Sequence, residues 1–552
     1  MSDTLSPPSS LGRREYLLLS LMLLFASGLF TFWIGVGSLW DADEPRYAQI
    51  SREILVTGDP ITMHLGGKPW VGVPPLWMWL LAGTGWAVGF TESAVRIWAA
   101  IFGVVAVAAV YVLGREWFGP RTGILSGLVL ATMLEYLLLA RLAVPDVAYM
   151  AFMLLALHAF YRGYRDRARS GYLWCALYGG LATLTRGPGT VVLLGLVFTL
   201  FFYYRRAFGR ISEIPWGWAA AIFFGVAAPW YVLETARVPG FLGMVFSTDA
   251  LRRLYHYPGA QAAALFYDVP ILILGAVPWT AFLPGALMYH YIGRWHDGSL
   301  LVLLWCAVML GAAVALGRQL PDEVALVYPL AAIAIARFWE EFLFEGAGRL
   351  RRILATSFVL QIAAVVFLAL AAGAFATTRY PHEFAAVRGS LIAPLGVLVA
   401  GPAATALLFG LRRYTAAFLT LPATMAVFVA VLSTVTVPAV ESQKPVRAFS
   451  ETIRREWRPG DRIIGYQIGR PASLTFYTNR AVTWNNDPEA LARALCASGR
   501  VFLVTTPGAL VRARENARGR RALLVTGLRA AGARGAMVLE IKPKTAPCPE
   551  GT

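Results

Sequence analysis

The chain reads Trp40-Asp-Ala-Asp-Glu-Pro-Arg-Tyr-Ala-Gln-Ile-Ser-Arg-Glu53 directly after its first long apolar run. This pattern predicts a helix from Glu44 to Ile54 that lies at a membrane surface. Asp41 and Glu44, three residues apart, fit a capping box, in which both residues satisfy backbone groups at the start of a helix. In this interpretation two of the three acids at the start of the stretch are structural.

The other charged residues of this stretch indicate a site. Asp43, Arg46 and Tyr47 are spaced three and four residues apart, so they share one face of the predicted helix. Carboxylates beside an arginine at a membrane surface can bind a sugar, a metal ion or a phosphate. Asp43, Arg46 and Tyr47 are therefore candidate residues of a binding site.

The rest of the sequence is dominated by apolar runs. Of the 552 residues, 57% are hydrophobic and 15% are charged, against roughly 25% charged residues in a soluble protein. A run of about 20 apolar residues crosses a bilayer as a helix. This criterion predicts an all-α polytopic membrane domain with about 13 spans, near residues 16–36, 93–113, 122–140, 147–163, 172–185, 188–204, 215–233, 269–290, 300–316, 324–338, 352–375, 389–410 and 414–435. A further apolar stretch, Pro74 to Phe90, is interrupted by glycines and is predicted to be half-buried or interfacial.

Arginines concentrate in short loops between alternate spans, as expected for cytoplasmic loops. The net charge of +17 therefore reflects membrane orientation, and we predict no nucleic-acid partner. With the N-terminus inside, the outer segments are residues 41–91, 141–146, the turn at Arg186, 234–268, 318–323, 377–388 and the tail from 438.

The tail is predicted to be a small α/β domain, residues 438–552, outside the membrane domain of residues 1–437. Its short apolar runs predict strands at 462–466, 501–505, 523–526 and 537–541, and two intervening segments predict helices at 488–497 and 508–517. The domain is basic, which suits anionic lipid head groups or simply solubility. If the tail faces an oxidising compartment, Cys496 and Cys548 could form a disulfide.

Asp43 to Glu53 resembles the first outer loop of the GT-C superfamily of polyprenyl-phosphate-sugar transferases. Within that superfamily it is similar to the aminoarabinose transferase family, which modifies lipid A and carries Asp-Glu-x-Arg-Tyr-Ala-x-Ile-x-Arg-Glu. Asp146, in Arg141-Leu-Ala-Val-Pro-Asp146, corresponds to a second acidic position of these enzymes. Further counterparts are Leu184-Thr-Arg-Gly-Pro188, Pro229-Trp-Tyr231, Pro239-Gly-Phe241 and Gly275-Ala-Val-Pro-Trp279.

Two departures from the family pattern concern the predicted phosphate site. Where the family has Tyr-x-Glu-Lys-Pro-Pro, this chain has Trp70-Val-Gly-Val-Pro-Pro75, so both charged residues are missing. A later Lys-Leu-Pro-x-Tyr segment becomes Arg318-Gln-Leu-Pro-Asp-Glu323. Lys68 is a possible substitute for the missing lysine. The resemblance then implies a phosphate site rebuilt around outer arginines, with Arg186, Arg252, Arg253 and Arg318 beside Arg46 as candidates.

The resemblance implies a multi-pass enzyme of a bacterial inner membrane with its active site facing the periplasm. It would move a sugar from a polyprenyl-phosphate donor to a lipid acceptor such as lipid A, with inversion at the anomeric centre. Asp43 would be the catalytic residue nearest the reacting centre and could act as general base on an acceptor hydroxyl. Asp146, the second catalytic residue, would support it or hold a divalent cation with it. Glu44, Arg46 and Tyr47 would bind substrate. Trp70 and the segment after it would line a groove for the prenyl tail. We expect a monomer in contact with membrane lipids.

Two alternatives remain at this stage. The missing Glu-Lys pair is compatible with a transferase of the same fold that uses another sugar or another acceptor, either a protein or another glycolipid. It is also compatible with a non-catalytic lipid-binding or transport protein. Against transport, the acids lie in outer loops, whereas ion relays usually lie within the bilayer.

Overall fold

The computed structural model describes residues 12–40, 43–246, 269–316, 324–345, scattered positions between 356 and 378, 381–442, 444–467, 472–487, 491, 500–505, 509, 524–528 and 537–541. The described helices, numbered in chain order, are α1 (Arg13–Thr31), α2 (Asp43–Thr57), α3 (Leu76–Val88), α4 (Glu92–Phe118), α5 (Pro120–Ala131), α6 (Leu134–Leu139), α7 (Asp146–Asp166), α8 (Arg169–Arg186), α9 (Gly189–Tyr204), α10 (Trp216–Arg237), α11 (Phe241–Phe246), α12 (Val269–Gly275), α13 (Leu283–Ile292), α14 (Asp297–Leu316), α15 (Tyr328–Glu345), α16 (Pro381–Gly410), α17 (Tyr414–Val431), α18 (Val437–Glu441), α19 (Pro445–Glu456) and α20 (Ala472–Thr478). The described strands are β1 (His64–Leu65), β2 (Lys68–Pro69), β3 (Arg462–Tyr466), β4 (Val482–Asn485), β5 (Val501–Thr505), β6 (Leu524–Leu528) and β7 (Met537–Ile541).

Among the described residues, six helices are long and apolar enough to cross a membrane, or up to seven if one bent pair counts as a single span. The polytopic all-α membrane domain is thus confirmed. The larger span number stays a prediction, because several predicted spans fall on shorter helices and the span at 352–375 lies mostly outside the described residues.

Two predicted spans are broken helices. The predicted span at 269–290 consists of two helical segments that meet at an angle of 115°, where Pro278 has no N–H to continue a helix. The predicted span at 122–140 is divided into α5 and α6. The two breaks contact each other, since the N–H of Leu134 donates to the carbonyl of Val277 at 2.9 Å. A single continuous helix was therefore wrong at both places, and this hydrogen bond across the bundle joins the two breaks.

Helix α3 occupies the interrupted apolar stretch. Its 13 residues span about 20 Å at about 1.5 Å per residue, which is too short for a bilayer crossing. Trp77 and Met78 are buried while Trp86 is exposed. This arrangement agrees with the predicted half-buried or interfacial segment.

The C-terminal region contains a five-stranded sheet in the order β4-β3-β5-β7-β6. Strand β3 pairs in parallel with β4 and β5, whereas β7 pairs antiparallel with β5 and β6. The predicted strands are found as β3, β5, β6 and β7, and the four-residue β4 was missed. The predicted helices at 488–497 and 508–517 lie outside the described residues except for single positions, as do Cys496 and Cys548. The small C-terminal α/β fold is thus confirmed, while the boundary at 438 stays a prediction.

Helices α7 and α8 are consecutive and nearly as long as each other, joined by a turn of two residues. Asp146 is the first residue of α7 and Arg186 is the last residue of α8. An antiparallel helix pair of this kind brings the two residues to the same end of the bundle. This end carries the predicted site.

Candidate active site

Glu44 is the most enclosed acid of the Asp43–Glu53 motif. Its Oε1 accepts a hydrogen bond from Arg96 Nε at 2.9 Å and its Oε2 accepts one from Arg96 Nη2 at 2.8 Å. The backbone N–H groups of Trp40 and Ala143 also donate to this carboxylate, at 2.8 and 2.7 Å. Both charged side chains are almost completely buried. Glu44 therefore joins α2, α4 and the turn before α7, which is the geometry of a framework residue, and its role in substrate binding stays a prediction.

Asp43 points away from that buried pair. Its carboxylate contacts Arg46, one helical turn later, at 3.0 Å, and its side chain is 57% exposed against 2% for that of Glu44. Tyr47, the third residue of the predicted face, is buried. The exposed first turn of α2 thus presents a carboxylate and a guanidinium side by side.

Asp146 is buried and pairs with Arg186, which is partly exposed. The contact joins the start of α7 to the end of α8, so these two predicted residues do meet. Their relation to Asp43 follows from Glu44, whose carboxylate bonds Ala143, three residues before Asp146. The segments that carry Asp43 and Asp146 are therefore in direct contact at one end of the bundle.

Glu53, the last residue of the motif, holds a small hairpin. Its two carboxylate oxygens accept the N–H groups of Gly66 and Gly67 at 2.8 and 3.0 Å, and Gln49 donates to it at 2.8 Å. These glycines form the tip between β1 and β2, both with positive φ, a backbone conformation that glycine adopts without steric cost. The motif therefore fixes the hairpin that carries Lys68, an exposed residue of β2.

The departure from the family pattern at Gly72 has a local explanation. The indole of Trp70 lies where a Cβ on Gly72 would have to sit. The same indole packs edge-on against Tyr47, with ring centroids 6.4 Å apart and an interplanar angle of 81°. An aromatic ring thus fills the place of a side chain at position 72, next to the α2 face.

Sequence reasoning missed the support that the C-terminal region gives to this end of the bundle. The hydroxyl of Tyr477 accepts the N–H of Leu39 at 2.7 Å and donates to Glu92 at 3.1 Å. Arg52 donates to the carbonyl of Phe476 at 2.7 Å and lies 4.2 Å above its ring. These contacts join residues nearly 400 positions apart or more, so local patterns carried no signal for them.

Two further contacts define the same support. Ser38 donates to Glu441 from its N–H and from its hydroxyl, at 2.9 and 2.8 Å.

Burial, together with the charge of Arg454, lowers the pKa of Arg52 to about 10. Arg52 remains cationic near neutral pH, so its contacts to Phe476 persist there.

The residues present do not favour a divalent cation at the predicted acids. Asp146 is occupied by Arg186, and Asp43 by Arg46. Within the part of the chain that the structure describes, no three His, Cys, Asp or Glu residues come together as metal ligands. The predicted phosphate ligands Arg252, Arg253 and Arg318 lie outside the described residues.

Comparisons with known proteins agree with the predicted resemblance. Residues 72–233 match the family described as dolichyl-phosphate-mannose-protein mannosyltransferase. An undecaprenyl phosphate-α-4-amino-4-deoxy-L-arabinose arabinosyl transferase of Edwardsiella ictaluri is 28% identical over 57% of this chain and 58% of that protein. The corresponding transferase of Erwinia tasmaniensis is 27% identical over 64% of this chain and 65% of that protein. The matches thus span less than two thirds of these curated relatives.

The crystal structure of ArnT from Cupriavidus metallidurans bound to undecaprenyl phosphate superposes with a TM-score of 0.81 at 19% identity. The match covers 98% of this chain and all of that one. The sequence resemblance and the shared fold together confirm that this chain is similar to the GT-C, aminoarabinose-transferase-like family.

Proposed function

We propose that this chain is an integral-membrane glycosyltransferase that moves a sugar from a polyprenyl-phosphate donor to a lipid acceptor similar to lipid A. The transferases of Edwardsiella ictaluri and Erwinia tasmaniensis support the reaction class. The undecaprenyl phosphate bound to ArnT of Cupriavidus metallidurans supports the donor class. The observation that carries the proposal is the meeting of the Asp43–Arg46 turn and the Asp146–Arg186 pair at one end of the bundle.

The arginines of this end hold the donor phosphate. The leaving group of the transfer is a phosphate monoester, and its departure is faster where fixed cations stabilise the developing charge. A guanidinium presents several donors in a planar fork that matches phosphate oxygens. Arg186 is partly exposed and oriented by Asp146, while Arg46 stands on the exposed turn of α2. Lys68 on the hairpin adds a third cation.

Asp43 acts on the acceptor. It is the exposed acid of the site, so an acceptor hydroxyl can approach it, and it then serves as general base. If the acceptor group is itself a phosphate, Asp43 orients that group or stabilises the positive charge that develops on the sugar. Direct displacement at the anomeric carbon inverts its configuration. Asp146 acts through Arg186 and is a positioning residue.

The site faces the periplasm of a bacterial inner membrane. An arginine-rich turn lies at the opposite end of α7 and α8 from the site, and the positive-inside rule supports a cytoplasmic position for that end. The prenyl tail follows the apolar surface beside Trp70 and α3, and the protein works as a monomer.

The direct test replaces Asp43 with Asn and measures sugar transfer in membranes that contain the purified full-length protein. We expect activity to fall by about 10²- to 10⁴-fold, the usual contribution of a positioned acid or base. Asp166→Asn is the matched control, because Asp166 is a partly exposed acid at the far end of α7. Full activity of Asp43→Asn would reject the role of Asp43.

A transferase of the same fold with a different sugar or acceptor is the second candidate. The observation that favours it is Trp70, whose ring fills the place of the family's glutamate side chain at position 72. Mass spectrometry of lipid A and of other envelope glycolipids in a deletion strain separates the two. Loss of a glycolipid unrelated to lipid A would favour the second candidate, and lipid transport without any sugar transfer would overturn both.

A further inference from the structure

A cavity of about 240 Å³ lies between α7 and α8, far from the candidate active site. Arg162, in its wall, follows Asp146 along α7 by about 24 Å at about 1.5 Å per residue. The cavity is therefore separated from the active-site end by most of the thickness of a bilayer. Its lining includes Arg162, Ser170, Trp174 and Tyr178.

The wall changes from polar to aromatic along the helix direction. Arg162 and Ser170 lie near the turn between α7 and α8. Trp174 and Tyr178 are four residues apart on α8, so they share one face, and their rings stack with centroids 5.7 Å apart. The aromatic wall therefore continues from the polar mouth towards the middle of the helices.

Arg162 carries charge that its neighbours do not fully compensate. Its contact with Asp166 is long, 3.7 Å between Nε and Oδ2. Arg165 donates to both oxygens of Asp166 more closely, at 2.7 Å to Oδ1 and 3.0 Å to Oδ2. The side chain of Arg162 is 56% exposed, so it is available to an anionic group that enters the cavity.

This level of the molecule has the features of a membrane interface. Tryptophan and tyrosine are enriched where hydrocarbon meets head groups. Several exposed aromatic side chains occur at the ends of α8, α9 and α10 on the cavity side and in the turn before α14: Trp174, Tyr203, Tyr204, Trp216, Trp218 and Trp295. A ligand of the cavity therefore has its polar part in the head-group layer and its apolar part in the bilayer.

We propose that this cavity binds an anionic phospholipid, with its phosphate at Arg162 and Ser170 and an acyl chain along the Trp174–Tyr178 stack. Basic pockets between transmembrane helices are suited to anionic head groups. The open aromatic wall accommodates a hydrocarbon chain, which a soluble anion lacks. The site is distinct from the donor site and does not depend on transfer activity.

Native mass spectrometry of the purified full-length protein, titrated with phosphatidylglycerol and separately with phosphatidylcholine, tests the proposal. We expect phosphatidylglycerol to bind more tightly than phosphatidylcholine. Arg162→Gln should weaken phosphatidylglycerol by about fivefold, the effect of one cation near an anionic head group, and should leave phosphatidylcholine unchanged. Arg167→Gln is the matched control. Arg167 lies in the turn between α7 and α8, close to Arg162 in the chain. It is 74% exposed and does not line the cavity.

The aromatic wall has its own pair of variants. Trp174→Ala should weaken both lipids, whereas Trp218→Ala, which removes an exposed tryptophan outside the cavity lining, should weaken neither. Equal losses from Arg162→Gln and Arg167→Gln would show general attraction to a basic surface and would overturn the site. Equal binding of phosphatidylglycerol and phosphatidylcholine to the unmodified protein would also overturn it.

Discussion

The two sides of the first turn of α2 differ more than their sequence suggests. On the inner side Glu44 is enclosed by Arg96 and two backbone N–H groups. On the outer side Asp43, its neighbour in the chain, forms an exposed pair with Arg46. A buried carboxylate with every partner fixed is suited to holding segments together, and an exposed one is suited to meeting a substrate. The motif thus contains both a framework and a reactive group.

The largest effect is expected when the buried Glu44–Arg96 pair is broken. Glu44→Ala leaves the Arg96 guanidinium buried without its carboxylate, and breaking such a pair costs about 3–5 kcal/mol. We expect a large loss of folded protein, measured as the amount of monodisperse protein and its thermal unfolding in detergent.

A double variant provides the control for the buried Glu44–Arg96 pair. Glu44→Met with Arg96→Met removes both charges, so it should recover part of the stability lost by the single variant. Unchanged stability of Glu44→Ala would contradict the framework role.

The proposed phosphate site near the exposed Asp43–Arg46 pair is tested next through Arg186. Arg186→Gln removes a cation from the proposed phosphate site and leaves Asp146 uncompensated, so kcat/KM for the donor should fall by about 10²- to 10³-fold. Arg186→Lys should retain more activity than Arg186→Gln, because it keeps the charge. If Arg167→Gln, at the opposite end of the helices, lowers activity as much, the effect is not specific to the site.

A smaller effect is expected from the support behind the motif. Tyr477→Phe removes the hydroxyl that bonds Leu39 and Glu92, and a hydrogen bond is worth about 0.5–1.5 kcal/mol. We expect kcat to fall by about five- to tenfold while KM for the donor stays unchanged, since Tyr477 acts on the position of α2. Tyr466→Phe, a buried tyrosine of β3, controls for general destabilisation. A rise in KM alone would point to substrate contact and against a positioning role.

The smallest effect concerns Trp70 and Gly72. Gly72→Glu must displace the indole of Trp70, so we expect a severalfold loss of activity from that variant. In the double variant Trp70→Ala with Gly72→Glu the new side chain has space, and the two changes should be non-additive, as for residues in contact. Additive effects in kcat/KM would show that the ring and position 72 do not share the same space.

Much of this site could be predicted from the sequence, because the patterns that indicate it involve residues close together in the chain. The stretch after the first apolar run predicted a helix from Glu44 to Ile54, which is found as α2, and the exposed Asp43–Arg46 pair lies on its first turn. The short apolar runs of the tail predicted four of the five strands. Arg186, proposed on the family resemblance, does meet Asp146.

The features that were not predicted depend on partners far apart in the chain. Glu44 pairs with Arg96, which lies more than fifty residues later in the chain, so the local sequence pattern gives no sign of this contact. The breaks between α5 and α6 and between α12 and α13 are stabilised by each other, as in the bond from Leu134 to Val277. The hydroxyl of Tyr477 accepts the N–H of Leu39, which lies 438 positions earlier in the chain. In each case the pattern of apolar and polar residues along the chain cannot identify the distant contact partner.

The central claim is that a lipid phosphate binds where the Asp43–Arg46 turn meets the Asp146–Arg186 pair. A cryo-electron microscopy structure of the full-length protein with added undecaprenyl phosphate measures this directly. We predict the phosphate within hydrogen-bonding distance of Arg186 or Arg46, with Asp43 beside it. A phosphate bound only at the far ends of α7 and α8, near Arg162, or an Asp43 that faces the opposite side of the membrane from Asp146, would contradict the account.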